Sequence, residues 1–172
     1  ILSQCGFSEK QCRLAEAQVI GRLVAPRSEL GTVSWFSRTA LNELTATSLG
    51  TLNEDQLYRV SDRLLRDREA IETALARRER EIFSLDEAIV LYDLTSTYFE
   101  GAAAANEKAL RGYSRDHRPG EKQVVVGLVL DGDGFPKAHE VFAGNKHDHD
   151  TLAGMLDALE KRVGTAEAAT VV

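Results

Sequence analysis

The sequence is short of several things. Cysteine occurs only at Cys5 and Cys12, with no CxxC pattern. Seven residues apart on one expected helix, the two would stand two turns from each other, too far for a disulfide to close. A disulfide framework is therefore excluded. Thiols packed as small apolar side chains in a reducing, cytoplasmic compartment are predicted instead. No apolar run reaches the ~20 residues that cross a bilayer, and no signal peptide is visible, so no membrane partner is expected. Excess positive charge is missing too. A net charge of −6 excludes a generally basic nucleic-acid coat.

What is present is enough apolar material for a core. Of 172 residues, 43% are hydrophobic and 28% charged, which fits one domain or one and a half. The charge is uneven. Residues 1–84 carry 12 Lys/Arg and 12 Asp/Glu, whereas residues 85–172 carry 9 and 15. Inside that acidic half lies a basic stretch, with Lys108, Arg111, Arg115, Arg118 and Lys122 set against Asp116 and Glu121. A local basic patch says more about partners than the total does.

The apolar period changes along the chain. Ser8-Glu9-Lys10-Gln11 is a capping-box pattern ahead of Leu14, Val19 and Leu23, and Pro26 closes that helix. Ser28 caps a short helix with Trp35 and Phe36. A long amphipathic segment, 54–83, places Leu57, Val60, Leu64, Ile71 and Leu75 at helical spacings. Its charged face reads as a solvated surface with i,i+4 pairs. Asp67 and Arg78 interrupt the stripe that a coiled-coil dimer would need. After residue 84 the pattern becomes that of strands: 88–99, 122–130 and 137–143, then a helix over 151–163 and a fourth strand over 169–172. The expected class is α/β, or α+β overall: a helical region 1–84 followed by β-β-β-α-β in 85–172. The chain begins inside one pattern and stops inside an apolar strand, which predicts a fragment.

Three stretches could carry chemistry. "LYDLTSTYFEG", 91–101, puts Asp93 near the middle of a strand, where an unpaired buried carboxylate would be costly. Spacing alone favours a hydrogen-bonded or edge-exposed Asp; the alternative is a ligand for Mg²⁺, a hard ion that prefers oxygen. "GYSRDHRPG", 112–120, is either a solvated surface loop or a contact to phosphate, with Tyr113 available to stack. "GNKHDHD", 144–150, is a helix N-terminus capped by Asp148 or Asp150 in preference to a metal site. "DGDG", 131–134, is a hairpin turn, because the later ligands of a calcium loop are missing.

Taken in order, "YDLTSTYFEG", "GYSRDHRPGEKQVVVGLVLDGDGFP" and "FAGNKHDHDTL" resemble insertion-sequence transposases of the DDE class. The likeness is to the branch around the insertion-sequence-four group. "GRLVAPRSELGTVSWF" resembles that branch's helical N-terminal region. The resemblance covers nearly the whole chain. It implies an RNase H-like core in which an Asp-Asp-Glu triad holds two Mg²⁺ or Mn²⁺ ions for DNA cleavage and strand transfer. Asp93 matches the first triad position and becomes the expected catalytic metal ligand. The second Asp is expected just after the fourth strand and the Glu further on, so this chain holds one of the three carboxylates and is expected to be inactive alone. The resemblance further implies that Arg111, Tyr113, Arg115, Arg118 and Lys122 contact DNA or brace their loop. The partners implied are transposon-end and target DNA and a second transposase copy.

Two other functions compete. One is a non-catalytic DNA-binding or dimerisation module, or a pseudogene remnant, motivated by the long 54–83 segment. The other is a small metal-dependent hydrolase built on His147, Asp148, His149 and Asp150.

Overall fold

A computed structural model describes residues 1–44, 52–83, 89–114, 116–163 and 170–171. They divide into two compact units, residues 1–74 and 75–172. The expected boundary at 84/85 falls on residues outside the described set.

The first unit is helical for reasons visible in its caps. Helix α1 spans Glu9–Val24 and opens on the expected capping box. Ser8 Oγ accepts from the Gln11 N–H at 3.3 Å, and the Gln11 side chain accepts from the Ser8 N–H at 2.9 Å. Helix α2, Glu29–Phe36, is capped by Ser28. A single turn, α3, covers Leu41–Leu44. The 54–83 segment, expected as one helix, is two. Helix α4 (Glu54–Arg66) has its own Asn53–Gln56 capping box, and α5 (Arg68–Phe83) follows. Asp67 makes the break, with φ −96° and ψ 14°, while its carboxylate pairs with Arg63 at 2.7 Å. The polar residue that interrupts the apolar stripe thus interrupts the helix as well.

Phe7, Leu14, Ala17, Phe36, Leu57 and Val60 form the core of this unit. Both cysteines are free, half-buried and packed against it, as expected. Cys5, however, lies in the turns before α1 and not on the helix. Gln18 ties the helices together inside, donating to Ser61 Oγ at 2.6 Å and to Glu29 at 3.2 Å.

The second unit contains β1 (Ile89–Tyr98), β2 (Gln123–Asp131), β3 (Pro136–Ala143), α6 (Asp148–Val163) and β4 (Thr170–Val171). This is the expected order β-β-β-α-β, and the chain as a whole mixes helix and strand. The sheet runs β3-β2-β1-β4, with β1, β2 and β3 antiparallel in turn and β4 parallel to β1. Helix α6 packs on β2 and β3. Val129, Ala138, Met155 and Leu159 form the core there, with Tyr92 and Phe142 against them. Tyr92 Oη donates to Thr151 Oγ1 on α6 at 2.7 Å. Burial and that neighbouring carboxylate, Asp148, raise the Tyr92 phenol above its ordinary range, against the lowering effect of the Thr151 bond. "DGDG" is the turn of the β2–β3 hairpin, as expected.

Candidate functional site

Side chains alternate across a strand, so the face that Tyr92 shares with α6 fixes where Asp93 points. Tyr92, Leu94 and Ser96 lie on the α6 side; Asp93 lies on the other side and is exposed. The concern that a buried carboxylate would need a facing charge therefore does not arise. Asp93 Oδ1 accepts the N–H of Leu94 at 2.8 Å, a local bond that fixes the carboxylate on the strand.

The ladder register names the neighbours of Asp93. It stands opposite Leu128, which is 37% exposed, and Leu128 stands opposite His139. His139 is thus two strand spacings away, about 9.6 Å at ~4.8 Å each, beyond sharing one ion with Asp93. On the other side β1 pairs with β4 through Ile89↔Thr170 and Val90↔Val171. Asp93 accordingly sits on a strand flanked on both sides, three residues beyond the last described pair.

Two ions need more ligands than one carboxylate supplies. Among the described residues, no group of three or more His, Cys, Asp or Glu could hold a metal. The residues present do not by themselves fit the two-ion centre that the resemblance implies. The "GNKHDHD" stretch forms no such group among the described residues. His147 and His149 stack ring on ring at 5.9 Å, and His149 Nε2 lies 3.2 Å from Asp150 Oδ1. Asp150 Oδ2 meets the His147 N–H at 3.5 Å, a long contact in the position of half a capping box for α6.

The five residues expected to meet DNA lie on the loop between β1 and β2. Arg115 is outside the described residues. Arg111 Nε donates to the Gly120 carbonyl at 3.0 Å, and the Arg118 guanidinium lies 5.5 Å over the Tyr98 ring. Both side chains brace the loop. Lys122 is half-buried, and its carbonyl accepts the Phe99 N–H at 2.8 Å. Tyr113 projects into solvent at 80% exposure. His117 takes a left-handed backbone with φ 56° at the tip, where the Arg118 N–H donates to Ser114 Oγ at 2.9 Å.

A hub beneath this loop was not legible in advance. Gln123, 2% exposed, donates from Nε2 to the Tyr113 carbonyl at 2.8 Å and to the Gly144 carbonyl at 2.9 Å. Leu110 and Gln123 exchange backbone bonds beside it, at 3.1 and 3.0 Å. Gly112 and Gly144 pass so closely that a Cβ on Gly112 would overlap the Gly144 carbonyl. The only advance signal was a glutamine opening an otherwise apolar strand. The hub fixes two walls of a cleft of about 270 Å³. Leu94, Ser96 and Val125 line it from the sheet, Tyr113 from the loop, and Lys146 and Asp148 from the approach to α6. The cleft lies on the sheet face opposite Asp93.

A second buried cluster sits at the β2–β3 turn. Asp131 and Lys137 are 1% and 3% exposed and paired at 2.9 Å, with Glu79 of α5 at 3.3 Å from the same ammonium. Asp131 Oδ1 also accepts the N–H groups of Asp133 and Phe135 at 3.0 and 2.8 Å. Burial pushes the Asp131 carboxyl up, but Lys137 and the two turn amides outweigh it and hold the group below its ordinary range.

No helix among the described residues is long and apolar enough to cross a membrane. Compared with protein-family models, with curated proteins and with solved structures, the chain matches none.

Proposed function

We propose that the chain is part of a DNA transposase of the DDE class, built on the first half of an RNase H-like core. The observation that carries this reading is the placement of Asp93. It stands midway along β1, exposed, on the strand that has β2 on one side and parallel β4 on the other. A carboxylate held on a rigid, doubly flanked strand suits a role in which its oxygens must be fixed in space. The element order agrees with the start of the core that the resemblance implies.

Asp93 is the one triad member that this reading assigns here. A divalent ion, Mg²⁺ or Mn²⁺, would supply charge stabilisation for displacement at phosphorus in the intact enzyme. The residues of this chain would do the rest of their work by holding DNA. Arg111 and Arg118 stiffen the loop, and Tyr113 and Lys146 flank the cleft.

The test is strand cleavage and joining of element-end DNA with Mg²⁺ or Mn²⁺. It compares this chain, a version extended by the coding sequence downstream of Val172, and the extended version with Asp93→Ala. The expected result is activity in the intact extended protein alone. Equal activity with and without Asp93 would remove the central assignment. A non-catalytic DNA-binding or dimerisation module is the second reading, favoured by a helical unit with a core of its own. Duplex binding by an extended protein that never cuts would select it.

A further inference from the structure

The cleft on the α6 side of the sheet has no part in the role given to Asp93, yet it has the features of a binding site. Its walls are held apart from solvent motion by the buried Gln123 amide, which bonds both the Tyr113 and the Gly144 carbonyls. Neither Gly112 nor Gly144 has room for a Cβ, so the two backbones are locked against each other. The backbone that carries Tyr113 is fixed by this bond, and its ring, 80% exposed, is open to a stacking partner. At the floor, Ser96 Oγ is buried and has no hydrogen-bond partner among the described residues. An orphaned buried hydroxyl is costly, and a ligand group that reaches it recovers that cost.

The size and charge narrow the occupant. At about 270 Å³ the cleft lies below the ~300–1,000 Å³ that hold drug-sized ligands, so it takes one ring and its attachment. Leu94 and Val125 offer an apolar floor, and Tyr113 a π-face. Lys146 stands at the rim with a single cationic charge, and Asp148 on the same side keeps a second phosphate away. One planar base with one phosphate matches these groups; a duplex does not, because its bases are stacked inside.

We propose that this cleft seats one unpaired nucleotide of a DNA strand, its base stacked on Tyr113 and hydrogen-bonded to Ser96, its phosphate against Lys146. The inference rests on the transposase reading for the identity of the polymer. It goes beyond that reading by adding a single-strand site on the sheet face opposite the carboxylate.

The experiment uses the whole chain, residues 1–172, with a fluorescent eight-nucleotide single strand and a duplex of the same sequence, at low salt. Tyr113→Ala should weaken single-strand binding roughly five- to a hundredfold, the effect of losing one base–aromatic stack. Tyr113→Phe should bind like the parent, because the stack survives. Ser96→Ala should weaken the single strand by a smaller factor. Duplex affinity should be unchanged throughout, and the exposed position of Tyr113 leaves folding untouched, as a thermal melt would record. Single-strand affinity unchanged in Tyr113→Ala, or lost equally in Tyr113→Phe, overturns the inference while the transposase reading stands. Failure to bind any DNA overturns both.

Discussion

Replacing Lys137 by Met tests how the second unit is held together at its hairpin turn. The ammonium is 3% exposed and lies 2.9 Å from the Asp131 carboxylate and 3.3 Å from Glu79. Methionine fills nearly the same volume, so packing changes little and the charge alone is removed. Asp131, 1% exposed, then keeps a buried negative charge with no cation beside it among the described residues. Breaking one side of such a pair costs about 3–5 kcal/mol. Asp131 Oδ1 still accepts two turn N–H groups, and Glu79 keeps contact with water, so the lower end applies, about 3 kcal/mol. At ~1.4 kcal/mol per decade, amide hydrogen exchange along β2 should accelerate more than a hundredfold. Adding Asp131→Asn removes the stranded charge while leaving an oxygen for the turn amides. The double variant should therefore recover most of the loss, to within about 1 kcal/mol of the parent. A cost below about 1 kcal/mol for Lys137→Met would show that the ammonium stabilises nothing here. A double variant worse than the single one would refute the stranded-charge account.

The same pair sets the acid response. The folded Asp131 carboxyl lies below its ordinary value of 3.8, so its contribution is complete above that value and is lost as pH falls through the lower folded one. In Lys137→Met burial dominates and the folded value rises, so that variant gains stability on acidification, and β2 exchange measured from pH 6 to 3 should show the gap to the parent narrowing. At the hub, Gly144→Ala would drive a methyl into the Gln123 and Leu110 carbonyl oxygens, which are backbone and cannot swing aside. The expected cost is about 3 kcal/mol in urea unfolding, with single-strand binding lost alongside; a cost near zero would mean the two loops are not locked.

The elements were legible because they depend on local chemistry. Ser8 and Gln11 announce α1, Pro26 follows its end, and the Gly-Asp turn at 131–134 joins two strands that read as strands. What failed was continuity. The apolar spacing of 54–83 continues through Asp67, and only the backbone there, turned by the Arg63 pair, shows two helices. The candidate site was legible in part. Asp93 and the loop residues could be named, but which face each occupied depends on where α6 packs. That is a long-range fact, and it put Tyr92 inward and Asp93 outward. Gln123 was hidden for the same reason. A buried amide bonding Tyr113 and Gly144 joins residues 10 and 21 positions away, and no spacing rule reaches that far. Asp131 and Lys137 were closer to view. Six residues apart across a hairpin turn, they could have been read as a cross-strand pair, though not as a buried one.

The two sides of the sheet now carry different expectations, and the register makes the one for Asp93 specific. Parallel pairing sets Val90 beside Val171, so a strand continuing without a bulge places the third residue after Val171 beside Asp93. Directly opposed residues share a face, which puts that side chain on the exposed side with the carboxylate and away from α6. His139, at about two strand spacings, cannot substitute from the β3 side. If Asp93 shares an ion, its nearest partner on the sheet therefore comes from the β4 side. The check is Mn²⁺ binding to the extended protein with each of the three residues after Val171 changed to Ala in turn. Binding should fall with Asp93→Ala and with the third of these changes, and hold with the second, whose side chain faces α6. Loss at the second and retention at the third would mean the strand slips by one residue. The second of these residues, not the third, would then stand beside Asp93 on its own face.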